Sequence, residues 1–417
     1  MREIRKGNSA NGVLWNAVGS IMFAANSFLL QWLVSVTLDL DEVGKFGSAF
    51  ATAQMMYIIG NFGISAYQMM DYEHKHKLSD YIIGRVLACM GSLILCAVYL
   101  LFSGYGQDKV LLTLVMTLYM LLYSVADAIQ CQLFIHGRMD LSGKVLFFRT
   151  FASVCAFGGA IIIRKNQVLA TCVAIAVNVL VSMWAVRLLQ QYETISLRGN
   201  RESVQSLLKV CVPLCITTLL YSFMNNIAKY VIERAYGDEV LGIYSIVFLP
   251  VMVVSLICNF IFKPLYPKIK QLAQQGQEER LVRFLWKIIG FIVVFAVICS
   301  ALMYVIGTDI LSVLFGVQLR EYRDLCAIIV LGGGMVTINN LCHYVVVALG
   351  MQKAMMYITV AGTLVMSALS IYLIPEFHLY GAVYAYDIGY VVLVAIMVWY
   401  IMKIIKDRRK QSERALG

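Results

Sequence analysis

Charge is what this sequence has least of. Only 14% of its 417 residues are Asp, Glu, Lys or Arg, against about 25% in water-soluble proteins, while 60% are hydrophobic and the mean hydropathy is +0.77. A soluble enzyme held by one anchor is excluded, because the apolar residues suffice for about twelve membrane spans of about 20 residues each. The eleven cysteines form no C-x-x-C pair and no Cys/His metal spacing, so neither a metal site nor a disulfide is expected. Cys211 and Cys215, four apart on one helix face, read as small apolar packing residues. The phosphate-cradling pattern G-x-x-x-x-G-K-[ST] is absent, so no ATP hydrolysis is expected; Gly332-Gly333-Gly334 reads as a helix-packing or hinge site.

What is present is a series of apolar runs bounded by charge and turn signals. They cover residues 12–37, 46–70, 81–102, 110–135, 145–163 and 168–188, then 210–232, 240–262, 288–306, 326–349, 355–374 and 380–402. Of the 34 basic residues, 26 fall at the N-terminus and in every second loop, with Arg164-Lys165 the main exception. The positive-inside rule then places both termini in the cytoplasm, and the net charge of +10 reports topology rather than a nucleic-acid partner. The first run lacks an A-x-A-like end and reads as a span, not a cleaved signal peptide.

Six spans return a chain to its starting side, so two six-span halves are parallel repeats. Asp41-Glu42-Val43-Gly44-Lys45-Phe46 follows the first span, and Asp238-Glu239-Val240-Leu241-Gly242-Ile243-Tyr244 follows the seventh. His136-Gly137-Arg138-Met139 and Leu349-Gly350-Met351-Gln352-Lys353 form a second pair, after spans four and ten. Gly44 and Gly242 read as helix-start turns that need a small residue. The expected organisation is an N-terminal bundle over 1–189, a cytoplasmic linker over 190–205, and a C-terminal bundle with a basic tail over 206–417.

A charge or amide in hydrocarbon is costly and marks a bundle interior or a watery cavity. At 100° per residue, Asn16, Ser20, Ser27 and Gln31 share one face of span one, and Thr218, Ser222, Asn225 and Lys229 share one face of span seven. Span four carries Tyr119, Tyr123, Asp127 and Gln130, span ten Asn339, Asn340 and His343, and span twelve Tyr380, Tyr384 and Asp387. Lys229 could instead snorkel towards the outer interface, four residues before Glu233. Arg85 and Arg149, one turn inside the cytoplasmic edge, read first as interface anchors and second as facing a cavity.

These features resemble the Wzx-type polysaccharide flippases of the multidrug/oligosaccharidyl-lipid/polysaccharide exporter superfamily. The likeness rests on Gly44-Lys45-Phe46 and Gly242-Ile243-Tyr244 opening even-numbered spans, on Pro213 entering span seven, and on Lys263-Pro264-Leu265-Tyr266-Pro267-Lys268 leaving span eight before a Gln-rich loop. The resemblance implies an all-α polytopic membrane protein with twelve transmembrane helices, in two parallel-repeat six-helix bundles around a central cavity. It implies a non-enzymatic transporter of the bacterial cytoplasmic membrane, one that flips a polyprenyl-diphosphate-linked oligosaccharide to the outer leaflet by ion-coupled alternating access.

On that reading Asn16, Gln31, Tyr123, Arg149, Ser222, Asn225, Lys229 and Tyr384 contact substrate, and Asp127, His343 and Asp387 take the coupling ion, H+ or Na+. Its partners are the lipid-linked oligosaccharide, membrane lipid and other polysaccharide-assembly membrane proteins, with no cofactor. A drug/cation antiporter of the same superfamily is the nearest alternative; relatives of that kind tend to carry an acid in span one or seven, where this chain has amides and Lys229. A membrane glycosyltransferase is the next, and it calls for a larger outer loop than 307–325.

Overall fold

A computed structural model describes residues 9–70, 75–193, 199–262, 265, 268–269, 271–272, 275, 277–349 and 351–416. Arg2, Arg5 and Lys6, Gly350, and most of the 263–268 stretch lie outside the described residues, as do 194–198 of the expected linker. The described chain is helical, without strands. Its α-helices are α1 (Ser9–Thr37), α2 (Leu40–Asn61), α3 (Ile64–Met70), α4 (Leu78–Ser103), α5 (Gln107–Ile135), α6 (Met139–Arg164) and α7 (Gln167–Leu189). There follow α8 (Arg201–Phe262), α9 (Glu278–Leu302), α10 (Thr308–Phe315), α11 (Arg323–Ala348) and α12 (Gln352–Leu416).

Nine helices among the described residues are long and apolar enough to cross a membrane, and the protein is a multi-pass membrane protein. Large apolar side chains such as Leu101, Phe102, Ile163 and Val313 lie on its surface, while Arg85, Arg149, Asn178 and Thr117 lie inside. α8 and α12 are each far longer than the about 20 residues that a bilayer takes. Both are broken, at Gly237 (φ 83°) and at His378 (φ 53°), so the apolar runs 210–232 and 240–262 are two arms of α8. The turn that needs glycine is therefore at Gly237; Gly44 and Gly242, expected to start helices, are buried within α2 and α8 and do not have positive φ.

The chain forms two compact units, Met1–Ser222 and Phe223–Gly417, the division falling within α8. In the first, α1 packs on α6 where glycine permits close approach: a Cβ on Gly19 would stand 2.5 Å from the Gly143 carbonyl oxygen, and one on Gly143 would overlap the Trp15 carbonyl. The starts of α2 and α7 are tied by polar groups. Lys45 Nζ lies 2.6 Å from Asp41 and 2.8 Å from Glu42, whose Oε2 accepts from Gln167 Nε2 at 2.8 Å. The hydrogen bonds to Asp41 and Glu42 raise the Lys45 ammonium above the ordinary lysine pKa. Ile64 of α3, Tyr81 of α4, and Leu207 and Cys211 of α8 form a buried apolar cluster.

In the second unit α11 is central. Its three consecutive glycines each lie against a different helix: Gly332 against Asp387 and Tyr386 of α12, Gly333 against Val251 of α8, and Gly334 against Ala296 of α9. The two helix breaks are joined by one side chain. Tyr236 Oη lies 3.0 and 3.1 Å from the carbonyl oxygens of Ile374 and Pro375, which share its one proton, and its ring lies 4.7 Å from that of His378. Carbonyls at the end of a helical arm lack intrahelical donors, and the tyrosine hydroxyl supplies one.

Candidate functional site

The first unit buries an ion pair. Arg85 of α4 donates through Nη1 to Asp127 Oδ2 of α5 at 2.8 Å and to the Ser124 carbonyl at 2.6 Å. Arg85 is 0% exposed and the Asp127 side chain 23%, so Arg85 is not an interface anchor. The pair sits beside the break between α2 and α3, where Phe62 and Gly63 have φ of 54° and 71°. That break releases Ser65 to bond across helices: its hydroxyl contacts Asp127 Oδ2, lies 2.7 Å from Asn61 Oδ1, and accepts from Arg85 Nη2 at 3.1 Å. One hydroxyl proton serves two acceptors, so the Ser65 hydroxyl donates to either Asp127 or Asn61 at a given moment, while the Ser65 backbone N–H donates to Asn61 Oδ1 at 3.4 Å.

Arg149 of α6 is buried too, at 0% exposure, and so does not snorkel as an anchor. Its guanidinium lies 4.3 Å from the centre of the Tyr123 ring, and Nε and Nη1 have no hydrogen-bond partner. A desolvated cation on an aromatic face gains about 2 kcal/mol, but two unused donors cost about 1–3 kcal/mol each. The site is therefore suited to an anion. Around it Tyr119 and Tyr123 hydroxyls are 3.1 Å apart, Tyr119 donates to Asn26 Oδ1 at 3.3 Å, and Phe23 packs on Tyr123 and Tyr57.

The second unit has a separate polar set. Asn225 Oδ1 accepts from Tyr386 Oη at 3.1 Å and from Tyr390 Oη at 2.9 Å. Lys229, one turn further along α8, is 4% exposed and has its Nζ 5.6 Å from the centre of the Phe248 ring, so it does not reach the interface. Asp387 Oδ1 is buried against Gly332 without a hydrogen-bond partner, and the Tyr244 hydroxyl is likewise buried and unpartnered. Lys229 and Asp387 do not form an ion pair, and Phe248, whose ring the lysine approaches, packs edge-on to Tyr386. An unpaired carboxyl oxygen among apolar helices offers a place for a proton or a small cation.

Residues 9–273 match the model of the polysaccharide biosynthesis protein family. The chain belongs to that family. One curated relative, the capsular polysaccharide biosynthesis protein CapF of Staphylococcus aureus, is 24% identical over 216 residues, covering 51% of this chain and 54% of CapF. The chain thus spans about half the length of the curated relative it matches. Among solved structures, an inward-facing multidrug resistance MATE family transporter of the MOP superfamily aligns at TM-score 0.67 with 12% identity, covering 97% of this chain and 100% of that one. A MOP superfamily transporter from Pyrococcus furiosus Vc1 aligns at TM-score 0.65 with 12% identity, covering 97% and 98%. The polysaccharide biosynthesis family member therefore has the MATE transporter fold.

The family match covers the Arg85, Asp127 and Arg149 cluster, Asn225 and Lys229, but not His343, Tyr384 or Asp387. The structure brings Tyr123 and Arg149 together, and the residue that Asp127 meets is Arg85. Asn16 is half-buried where α1 crosses Gly143, Gln31 is buried with Nε2 unpartnered, and Ser222 is half-buried at the end of the first unit. Tyr384 packs on Tyr380 and Phe377, while Asn225 is bonded by Tyr386 and Tyr390, and His343 is half-buried without an ion pair. Sequence reasoning missed Ser65, Gln68, Asn26, Tyr386 and Tyr390. The last two carried a signal, tyrosines four apart on one helix face.

Proposed function

We propose that this protein is a flippase that moves a polyprenyl-diphosphate-linked oligosaccharide from the cytoplasmic to the outer leaflet of the bacterial cytoplasmic membrane by ion-coupled alternating access. The observation that carries the reading is Arg149, a buried guanidinium held by a tyrosine ring instead of a carboxylate, with two donors free for phosphate oxygens. Family membership and the transporter fold support it. An anionic head group must cross about 30 Å of hydrocarbon while its tail stays in lipid. Arg149 offsets the diphosphate charge, and Tyr119, Tyr123, Asn16 and Gln31 meet sugar hydroxyls. Asn225, Ser222, Lys229 and Tyr384 serve the same head group later in the cycle.

Twelve crossings with both termini cytoplasmic, and bundles over 1–189 and 206–417 joined by the 190–205 linker, complete the proposal. Asp387 takes the coupling ion, H+ or Na+; Asp127, already paired with Arg85, is the second candidate, and His343 the third. Other polysaccharide-assembly membrane proteins supply and remove the substrate. The test is transfer of a fluorescent lipid-linked oligosaccharide across vesicles holding the purified protein, with and without an ion gradient. Transfer that needs the gradient and is lost in Arg149→Met is expected. Transfer equal to that of protein-free vesicles overturns the reading.

A further inference from the structure

A chain of side-chain hydrogen bonds runs from the Arg85–Asp127 pair along α5 to the end of α7. Arg85 Nη2 donates to Gln68 Oε1 at 3.4 Å, and Gln68 Nε2 donates to Gln132 Oε1 at 3.2 Å and to the Ala128 carbonyl at 3.1 Å. Gln132 Nε2 then donates to Glu193 Oε2 at 2.7 Å, and His136 Nε2 lies 3.1 Å from the same oxygen. The ends dictate the direction. A guanidinium can only donate and an ionised carboxylate can only accept, so both amides must present oxygen towards Arg85 and nitrogen towards Glu193. Neither amide can turn over without breaking a bond on each side, and aligned bonds strengthen one another.

Glu193 is the last described residue before the stretch that leads to α8. On the far side of that stretch, Asp80 of α4 accepts from the Asn200 amide at 3.0 Å and from the Ser203 hydroxyl at 2.8 Å. The connection between α7 and α8 is thus held on both sides, and on one of them the holder leads to the buried ion pair. Amides that only glue helices need not begin and end on charges; these do. We infer that Gln68 and Gln132 are positioning residues, which tie the charge on Asp127 to the end of α7 through the orientation of Arg85. Loss of the Asp127 charge frees the guanidinium to turn, Gln68 Oε1 loses its donor, and Gln132 releases Glu193. The use of this tie in transport rests on the function proposed above; the tie itself does not.

Hydrogen exchange of the backbone amides of Gln190, Gln191, Tyr192 and Glu193, measured on the full chain in lipid nanodiscs, tests it. These amides bond the carbonyls of Val186, Leu188 and Leu189. Asp127→Asn is expected to speed their exchange about tenfold, the ratio that loss of one hydrogen bond of ordinary strength produces. In a Gln132→Leu background Asp127→Asn is expected to add nothing. In the double exchange Gln132→Glu with Glu193→Gln, residue 132 still accepts from Gln68 while the bond between 132 and 193 is kept with its donor reversed, and the effect of Asp127→Asn should return there. Gln68→Leu cuts the neighbouring link and replaces Gln132→Leu if that variant does not fold. Unchanged exchange in Asp127→Asn, or an equal effect with the link cut, overturns the inference. A protein that shows the coupling but moves no lipid-linked oligosaccharide keeps the tie and loses the transport reading.

Discussion

Arg85 Nη1 and Asp127 Oδ2 stand 2.8 Å apart with the arginine wholly buried, so this mid-span carboxylate is already committed to a cation. Breaking a buried pair from one side leaves a charge uncompensated, at about 3–5 kcal/mol. Arg85→Met and Asp127→Asn should each lower the unfolding temperature of the purified protein sharply. Arg85→Met combined with Asp127→Leu should recover most of the loss, because two apolar groups leave no stranded charge. A double variant as unstable as the sum of the singles contradicts this account.

Arg149 is predicted to separate function from stability. Lysine keeps the charge but not the planar stack on Tyr123 or the fixed fork of donors. Arg149→Lys should reduce transfer in vesicles at least about tenfold, as expected for loss of one charge-assisted hydrogen bond. Arg149→Met should abolish transfer yet unfold no earlier than the parent, since it removes a buried cation with unused donors. Wild-type transfer by Arg149→Met removes the arginine from the site.

The two acidic candidates for ion coupling make different predictions. Asp387 has a buried oxygen without a partner, whereas Asp127 has Arg85 and Ser65. Asp387→Asn should leave transfer independent of the gradient without loss of stability. If Asp387→Asn and Asp127→Asn both keep full gradient dependence, neither carboxylate couples the ion.

Glycine spacing sets how closely α1 and α6 approach. A methyl group on Gly143 would overlap the Trp15 carbonyl, while one on Gly159 in the same helix meets nothing within 4 Å. Gly143→Ala should cost about 1–3 kcal/mol through overpacking. Gly159→Ala should be neutral or stabilising by up to about 1 kcal/mol. Equal melting temperatures for the two would refute the close crossing.

The helices were legible because an apolar run of about 20 residues has few alternatives in a membrane. Asp127 stood out for the cost of a charge in mid-span, but its partner Arg85 lies 42 residues earlier in the chain, and a one-helix projection cannot register residues on different helices. Projection also failed where a side chain bonds its own backbone. Ser27 lies on the polar stripe of α1 with a bond to the Ala24 carbonyl, while Asn26, off that stripe, is the residue that bonds Tyr119. In α12 the stripe drew attention to Tyr384, yet Asn225 bonds Tyr386 and Tyr390, and it is packing against α8 that selects this face.

The central claim is tested most directly in the cells that carry this protein. After deletion, a polyprenyl-diphosphate oligosaccharide should build up on the cytoplasmic leaflet, where externally added enzymes cannot reach its glycan. The wild-type chain should clear it and Arg149→Met should not. Absence of any such lipid in the deletion strain, with surface polysaccharide still made, would contradict the account.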